Sequence, residues 1–282
     1  MQSIQTVSEN TIYVGASDRR LAKFENLFPI PRGVSYNAYV ILDEKTALLD
    51  TADASVGAQF LENVAAALDD RKLDYLIVDH MEPDHAAMIE AVLVRWPDLR
   101  LVVNAKTLPM LKMYFPTDNA AIDDALVVKE GDTLDLGKHK LTFVMAPMVH
   151  WPEVMVCYES GEKVLFSADA FGKFGALDTD QPWTDEARRY YLNIVGKYGA
   201  PVQTLLKKAA KLDICAICPL HGPVLTGDLA PYLEKYQTWS SYAPEEKGVL
   251  VAYASIHGNT AQAAALLAER LKALGETVVL LD

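Results

Sequence analysis

At 282 residues the chain exceeds what one hydrophobic core usually organises, so one large domain plus part of another is the natural expectation. Its 26 Lys and Arg stand against 38 Asp and Glu, a net charge of −12, which argues against nucleic acid or an anionic membrane surface as the main partner. The opening MQSIQTVSENTIYVGASDRR lacks the basic start and apolar centre of an export signal, and no apolar run is long enough to cross a bilayer, so a soluble cytoplasmic protein is expected.

In chain order, TIYVGA, SYNAYVILD and TALLDT carry the half-alternating apolar pattern of an antiparallel meander, with a Glu-Lys turn between the last two. The period then changes. ASVGAQFLENVAAALDD has helical spacing, the strand YLIVDH follows, and the helix HAAMIEAVLVRW leads to the strand LRLVVNA. KLTFVMAP, VMVCYES, KVLFSAD and DICAICPL read as further strands, with a helical stretch at roughly 185 to 210 before the last. Two sheets flanked by helices, within one domain of about 240 residues, account for this order. After the polar SSYAPEEKG, the tail reads as strand, tight loop, helix, strand. A Ser, Gly, Asn and Thr loop between a buried strand and a helix N-terminus offers N–H groups, hydroxyls and the helix dipole to a phosphate.

The three cysteines, Cys157, Cys215 and Cys218, are an odd set suited to a reducing compartment. Cys215 and Cys218 form a C-x-x-C, but three residues apart on a strand they point to opposite faces, so both read as core cysteines.

Strand ends carry more information than the strands. LIVDH stops at His80, LTFVMAPMVH runs into His150, VLFSAD stops at Asp169 and AICPLH stops at His221. Four of the six histidines, His80, His85, His150 and His221, fall at such positions; His139 reads as a solvated hairpin residue and His257 belongs to the tail loop. Alone, each is equally an ordinary capping or loop residue. Together with Glu82, Asp84 and Asp169, the four make seven candidate ligands, too many for one tetrahedral ion and suited to two ions sharing a carboxylate. The set lacks thiolate, which favours iron or manganese over structural zinc and leaves imidazole-rich zinc hydrolases open.

The pattern H-x-E-x-D-H (His80, Glu82, Asp84, His85), followed by HWPE, SADAFG and CPLHGP, resembles the flavodiiron proteins, and RGVSYNAYVI and RRYYLNIVGKYGAPV extend the resemblance along most of the chain. The resemblance implies an α/β fold of the metallo-β-lactamase-like αββα type over residues 1–243. It also implies a diiron centre with His80, Glu82 and His150 on one iron, Asp84, His85 and His221 on the other, and Asp169 bridging. Hydrolytic relatives carry His where Glu82 stands, and the exchange places a hard anionic oxygen on the metal. This sequence departs from the family at Asp79, where Asn is usual, and at Glu153, where Asp is usual. Asp79 is expected either to orient a ligating imidazole or to face solvent.

The tail stretch Ser255, Ile256, His257, Gly258, Asn259 and Thr260 is similar to the FMN-phosphate loop of flavodoxins, with His257 where Tyr or Trp is usual. Residues 248–282 then correspond to the first β-α-β unit of a flavodoxin-like domain. Such a sheet needs five strands, and the chain ends after the second, so a fragment of a longer protein is expected. The resemblance implies a cytoplasmic oxidoreductase reducing dioxygen to water or nitric oxide to nitrous oxide, with two iron ions and FMN as cofactors. It further implies rubredoxin or a flavin reductase as electron donor and a head-to-tail homodimer. The alternative from another class is a binuclear metallohydrolase.

Overall fold

A computed structural model describes residues 3–115 and 120–282, which divide into two compact units, 1–241 and 242–282. The first unit begins with short strands, β1 (Gln5–Thr6), β2 (Thr11–Tyr13), β3 (Ala16–Asp18), β4 (Lys23–Phe24), β5 (Phe28–Pro29) and β6 (Val34–Tyr36), before the hairpin of β7 (Tyr39–Leu42) and β8 (Thr46–Leu49). Helix α1 (Gly57–Leu68) crosses to β9 (Tyr75–Ile77), and α2 (Pro83–Ala86) with α3 (Ile89–Arg95) crosses to β10 (Arg100–Asn104). Helices α4 (Thr107–Tyr114) and α5 (Ala120–Asp123) precede β11 (Leu126–Val128). These strands form a seven-stranded sheet in the order β1-β2-β7-β8-β9-β10-β11, antiparallel up to β8 and parallel beyond it.

The second sheet takes β12 (Thr133–Asp135), β13 (Lys140–Met145), β14 (Met155–Glu159), β15 (Val164–Phe166), β16 (Ala216–Cys218) and β17 (Leu225–Thr226) in sequential order. Its single parallel pair, β15 with β16, is bridged by α6 (Trp183–Tyr190) and α7 (Gly199–Ala209); α8 (Ala230–Ser240) closes the unit.

The alternation of side chains shows how the layers stack. Tyr39, Ile41, Leu49, Ile77 and Val102 of the first sheet share one buried cluster with Leu141, Phe143, Met155, Cys157 and Phe166 of the second. Their neighbours Val40, Leu48, Leu76 and Leu101 point the other way, into a cluster with Phe60, Val64 and Leu68 of α1. On the far side Val156, Leu165 and Ile217 join Val202 and Leu205 of α7 and Tyr236 of α8. Both sheets therefore bury both faces, one against each other and one against helices, which gives an αββα sandwich.

Three local expectations are corrected. The stretch 85–96 is two helices, because Ala87 and Met88 interrupt it between α2 and α3. Cys215 lies before β16 and is exposed, whereas Cys157 and Cys218 are buried. His139 is not solvated: it is 5% exposed, because its backbone N–H donates to Asp43 and draws the turn onto the β7–β8 hairpin.

The second unit contains β18 (Val249–Ala252), α9 (Asn259–Ala273) and β19 (Val278–Leu281), with the two strands paired in parallel. Among the described residues, no helix is long and apolar enough to cross a membrane.

Candidate metal centre

Four of the predicted ligands follow strand ends of the sandwich, and the other three sit on or beside the short helix after β9. His80 lies beyond β9, where Val78 still bonds to Val102 and both Asp79 and His80 N–H groups donate to the buried Asp50 carboxylate. Glu82 caps the four-residue helix α2, in which Pro83 presets the first turn and Asp84 and His85 follow. Successive residues on a helix diverge by about 100°, yet the Asp84 carboxylate and the His85 ring bend back to within 3.4 Å of each other. His221 follows β16 in a loop tied down by Asn37, whose Nδ2 donates to Pro219 O at 2.7 Å and Gly222 O at 2.8 Å. Gly222 has φ +82°, and a Cβ there would stand 2.6 Å from Lys173 Cγ, so glycine alone fits.

The structure brings all seven groups together, six of them buried at 7% exposure or less and Asp84 at 8%. They form two adjacent sets, His80, Glu82, His150 and Asp169, and Asp84, His85 and His221. In the first, His80 Nε2 is 3.2 Å from Glu82 Oε2 and 3.3 Å from Asp169 Oδ2, while His150 Nε2 is 3.0 and 2.9 Å from the same two oxygens. In the second, His85 Nε2 is 3.4 Å from Asp84 Oδ2 and 3.4 Å from Asp169 Oδ1; His221 Nε2 is 3.3 and 3.7 Å from these. Asp169 thus offers one carboxylate oxygen to each set.

Second partners fix which imidazole nitrogen faces inward. His80 Nδ1 donates to Glu153 Oε1 at 2.8 Å, and His221 Nδ1 donates to the Ser35 carbonyl at 2.7 Å. A carboxylate or carbonyl only accepts, so the proton sits on Nδ1 and leaves Nε2 free. Glu153 also accepts from Met81 N–H at 2.9 Å. Asp79 follows neither expectation: it is buried, and its Oδ1 accepts from the Cys157 thiol at 3.1 Å. Burial pushes its carboxyl up to about 7, and burial and then the Asp79 charge hold Asp50 beside it well above the usual carboxylate range.

Charges inside the cluster are strongly perturbed. Burial lowers the His150 pKa, but its hydrogen bonds with Asp169 and Glu82 prevail and hold it at about 9. Against burial, which raises carboxylates, the His80 charge and the His150 bond keep Asp169 well below the usual range. Glu25, in the β4–β5 turn, is pushed up to about 8 by its hydrogen bond to Glu82, then by burial and the charges of Glu82 and Asp84. With Phe24, Tyr36, Glu82 and Asp84 it lines a cavity of about 330 Å³ that opens onto the cluster.

The donor set fits a pair of cations. Both oxygens of Asp84 and of Asp169 are buried and face only the inward imidazole nitrogens of the cluster, with no backbone or hydroxyl donor among the described residues. Donor atoms 2.9 to 3.7 Å apart match neighbouring corners of a coordination shell with bonds of about 2.1 Å. Sequence reasoning had noted Glu153 only as a departure and had missed Ser35, Asp50 and Glu25. HWPE places Glu153 three residues after His150, a usable signal; Ser35 acts through its carbonyl, which no side-chain pattern records.

The FMN-type loop lies in the second unit. Gly258, with φ +84° and nothing within 4 Å of a Cβ, caps the N-terminus of the fifteen-residue α9. The Ser255 hydroxyl is buried without a partner, while Ile256, His257, Asn259 and Thr260 are exposed. An orphaned hydroxyl, an open glycine and a helix N-terminus suit a phosphate.

Residues 34–222 match the model of the ODP family beta lactamase. The chain is 33% identical over 280 residues to a nitric oxide reductase of Moorella thermoacetica, covering 95% of this chain and 69% of that protein. The chain belongs to the flavodiiron proteins. The rubredoxin oxygen:oxidoreductase of Desulfovibrio gigas superposes with a TM-score of 0.92 at 31% identity, covering 99% of this chain and 71% of that one. The flavodiiron protein of Giardia intestinalis gives 0.89 at 27%, covering 100% and 70%. The metallo-β-lactamase-like sandwich is thus the fold of a known redox family.

Proposed function

We propose that this flavodiiron protein reduces dioxygen to water, nitric oxide to nitrous oxide, or both, at a non-haem diiron centre fed through FMN. The division of Asp169, one oxygen to each set of donors, carries this reading. His80, Glu82 and His150 would hold one iron and Asp84, His85 and His221 the other, with Asp169 available to both. Two irons bound there would supply the redox chemistry for a small diatomic substrate. The chain's own residues do the rest: Glu153 and Ser35 hold two imidazoles with Nε2 inward, and Phe24, Tyr36 and Tyr190 shield the cleft from bulk water. Glu25, which lines the mouth beside Glu82 and Asp84, is placed to pass protons, which both reductions consume.

Residues 1–243 form the diiron domain and 248–282 the first part of a flavodoxin-like domain, whose loop Ser255 to Thr260 takes the FMN phosphate. A rubredoxin or flavin reductase serves as donor, the flavin of one chain serves the irons of its partner in a head-to-tail homodimer, and the protein works in the cytoplasm.

Anaerobic loading with ferrous iron, metal analysis after gel filtration, and consumption of oxygen and nitric oxide with a chemical reductant test the proposal. About two irons per chain and turnover of either gas are expected. Stoichiometric zinc after growth in iron-replete medium, with esterase or lactamase turnover, would instead favour the hydrolase.

A further inference from the structure

A separate set of donors lies at the other end of the second sheet. In the β13–β14 pair, Met145 faces Met155 at the end from which the chain runs on to His150, and Leu141 faces Glu159 at the opposite end. There His139 of the β12–β13 turn and Glu159 and Glu162 of the β14–β15 turn each bring one donor atom within 4.8 Å of the others.

The local electrostatics are unbalanced. Glu159 is 0% exposed, yet no lysine or arginine among the described residues pairs with it. Its carboxylate accepts only the N–H groups of Gly161 and Glu162, each at 2.6 Å. Glu162 faces the same spot, pinned by Asn10 N–H at 2.9 Å, by Thr11 Oγ1 at 3.0 Å and by Ser8 Oγ. Glu159 is buried and Glu162 half-buried, and a buried carboxylate with a second one beside it and no Lys or Arg partner is costly without a cation.

His139 supplies the independent observation. Its side chain is 6% exposed, and Nδ1 is buried with no hydrogen-bond partner. It stands 3.2 Å from Glu159 Oε1 but lacks the alignment of an N–H···O bond. That separation matches the edge of a tetrahedron, about 3.3 Å, for a cation with bonds of about 2.0 to 2.1 Å to nitrogen and oxygen.

We propose that His139, Glu159 and Glu162 form a third metal site, for a zinc-class divalent transition-metal ion with water completing the shell. One imidazole with two carboxylates selects this class: calcium and magnesium take oxygen-only shells, and cuprous ion asks for sulfur. The bonds from Ser8, Asn10 and Thr11 to Glu162 make the ion a clamp between the β1–β2 hairpin and the β14–β15 turn.

The site is read by zinc titration of iron-loaded protein followed by gel filtration and metal analysis. Wild type is expected to retain about one zinc per chain beyond its irons, with the iron count unchanged. His139→Ala should retain none, and Glu162→Gln should release zinc at lower chelator concentration. Protein that takes no iron is loaded with zinc throughout, where wild type should exceed His139→Ala by about one ion per chain. Should His139→Ala fail to fold, Glu162→Gln and the zinc-edge absorption spectrum of wild type, which must show nitrogen at about 2.0 Å, decide the matter. No zinc beyond the irons in wild type, zinc gained only as iron is lost, or equal retention in a folded variant would each overturn the proposal.

Discussion

The cluster around Asp169 and the loop Ser255–Thr260 both sit beyond the carboxyl ends of strands, yet they differ in enclosure. The first draws groups from after β9, β13, β15 and β16 and buries every one of them at 8% exposure or less. The second is one loop beside two paired strands, where Ile256 is 93% exposed and Leu250, Val279 and Leu281 exceed half. A site enclosed by several elements holds its donors before the metal arrives, whereas a loop on one edge offers a nest without walls. Enclosure, more than residue type, separates a tight site from a weak one.

The largest effect should come from Asp169. Asp169→Ala removes the one carboxylate shared by both sets, so iron after anaerobic loading should fall from about two per chain to near zero. Retention of both metals at unchanged affinity would disprove the bridge. His221→Ala touches one set, so about one iron should remain, and loss of both would show the sets to be inseparable.

Glu153→Ala leaves His80 Nδ1 and the Met81 N–H without their acceptor, and metal affinity should drop by about 10- to 100-fold, with partial recovery in Glu153→Gln. A competition assay against a chelator measures this; an unchanged affinity would mean that packing alone orients His80.

The loop sharpens the contrast from the other side. FMN should bind the 282-residue chain weakly, so that protein from gel filtration shows little flavin absorbance, and Ser255→Ala should weaken binding of added FMN further. Stoichiometric, tightly held FMN would show that walls are not needed.

The smallest effect belongs to the buried Asp18, whose carboxylate accepts from the exposed Arg20 guanidinium at 3.0 and 2.9 Å. The Arg20 hydrogen bond, opposed by burial, lowers its pKa from 3.8 to about 2. A depressed carboxyl stabilises the fold above its unfolded pKa and loses that contribution as pH falls through the folded value. Asp18→Asn should therefore lower Tm by no more than about 4 °C at pH 7, and the difference should vanish near pH 2. A difference that persists unchanged at acid pH would assign the effect to packing.

Much of this was legible in the sequence because it depends on local pattern. The unbroken apolar run Tyr39–Leu42 marks a strand buried on both faces, the alternation of Leu141 and Phe143 with Lys140 and Thr142 marks the buried face of β13, and β-strand geometry makes every strand end a fixed place for the next side chain. The ligand types followed from His80, Glu82, Asp84 and His85 crowding one strand end, and the family from those residues with HWPE, SADAFG and CPLHGP. The tertiary structure alone decided the rest. It assigned one oxygen of Asp169 to each set, put Ser35's carbonyl behind His221, turned Asp79 toward Cys157 and buried His139 among carboxylates. Each is a contact between residues distant in the chain, and sequence spacing holds no information on how far apart two strands finally lie.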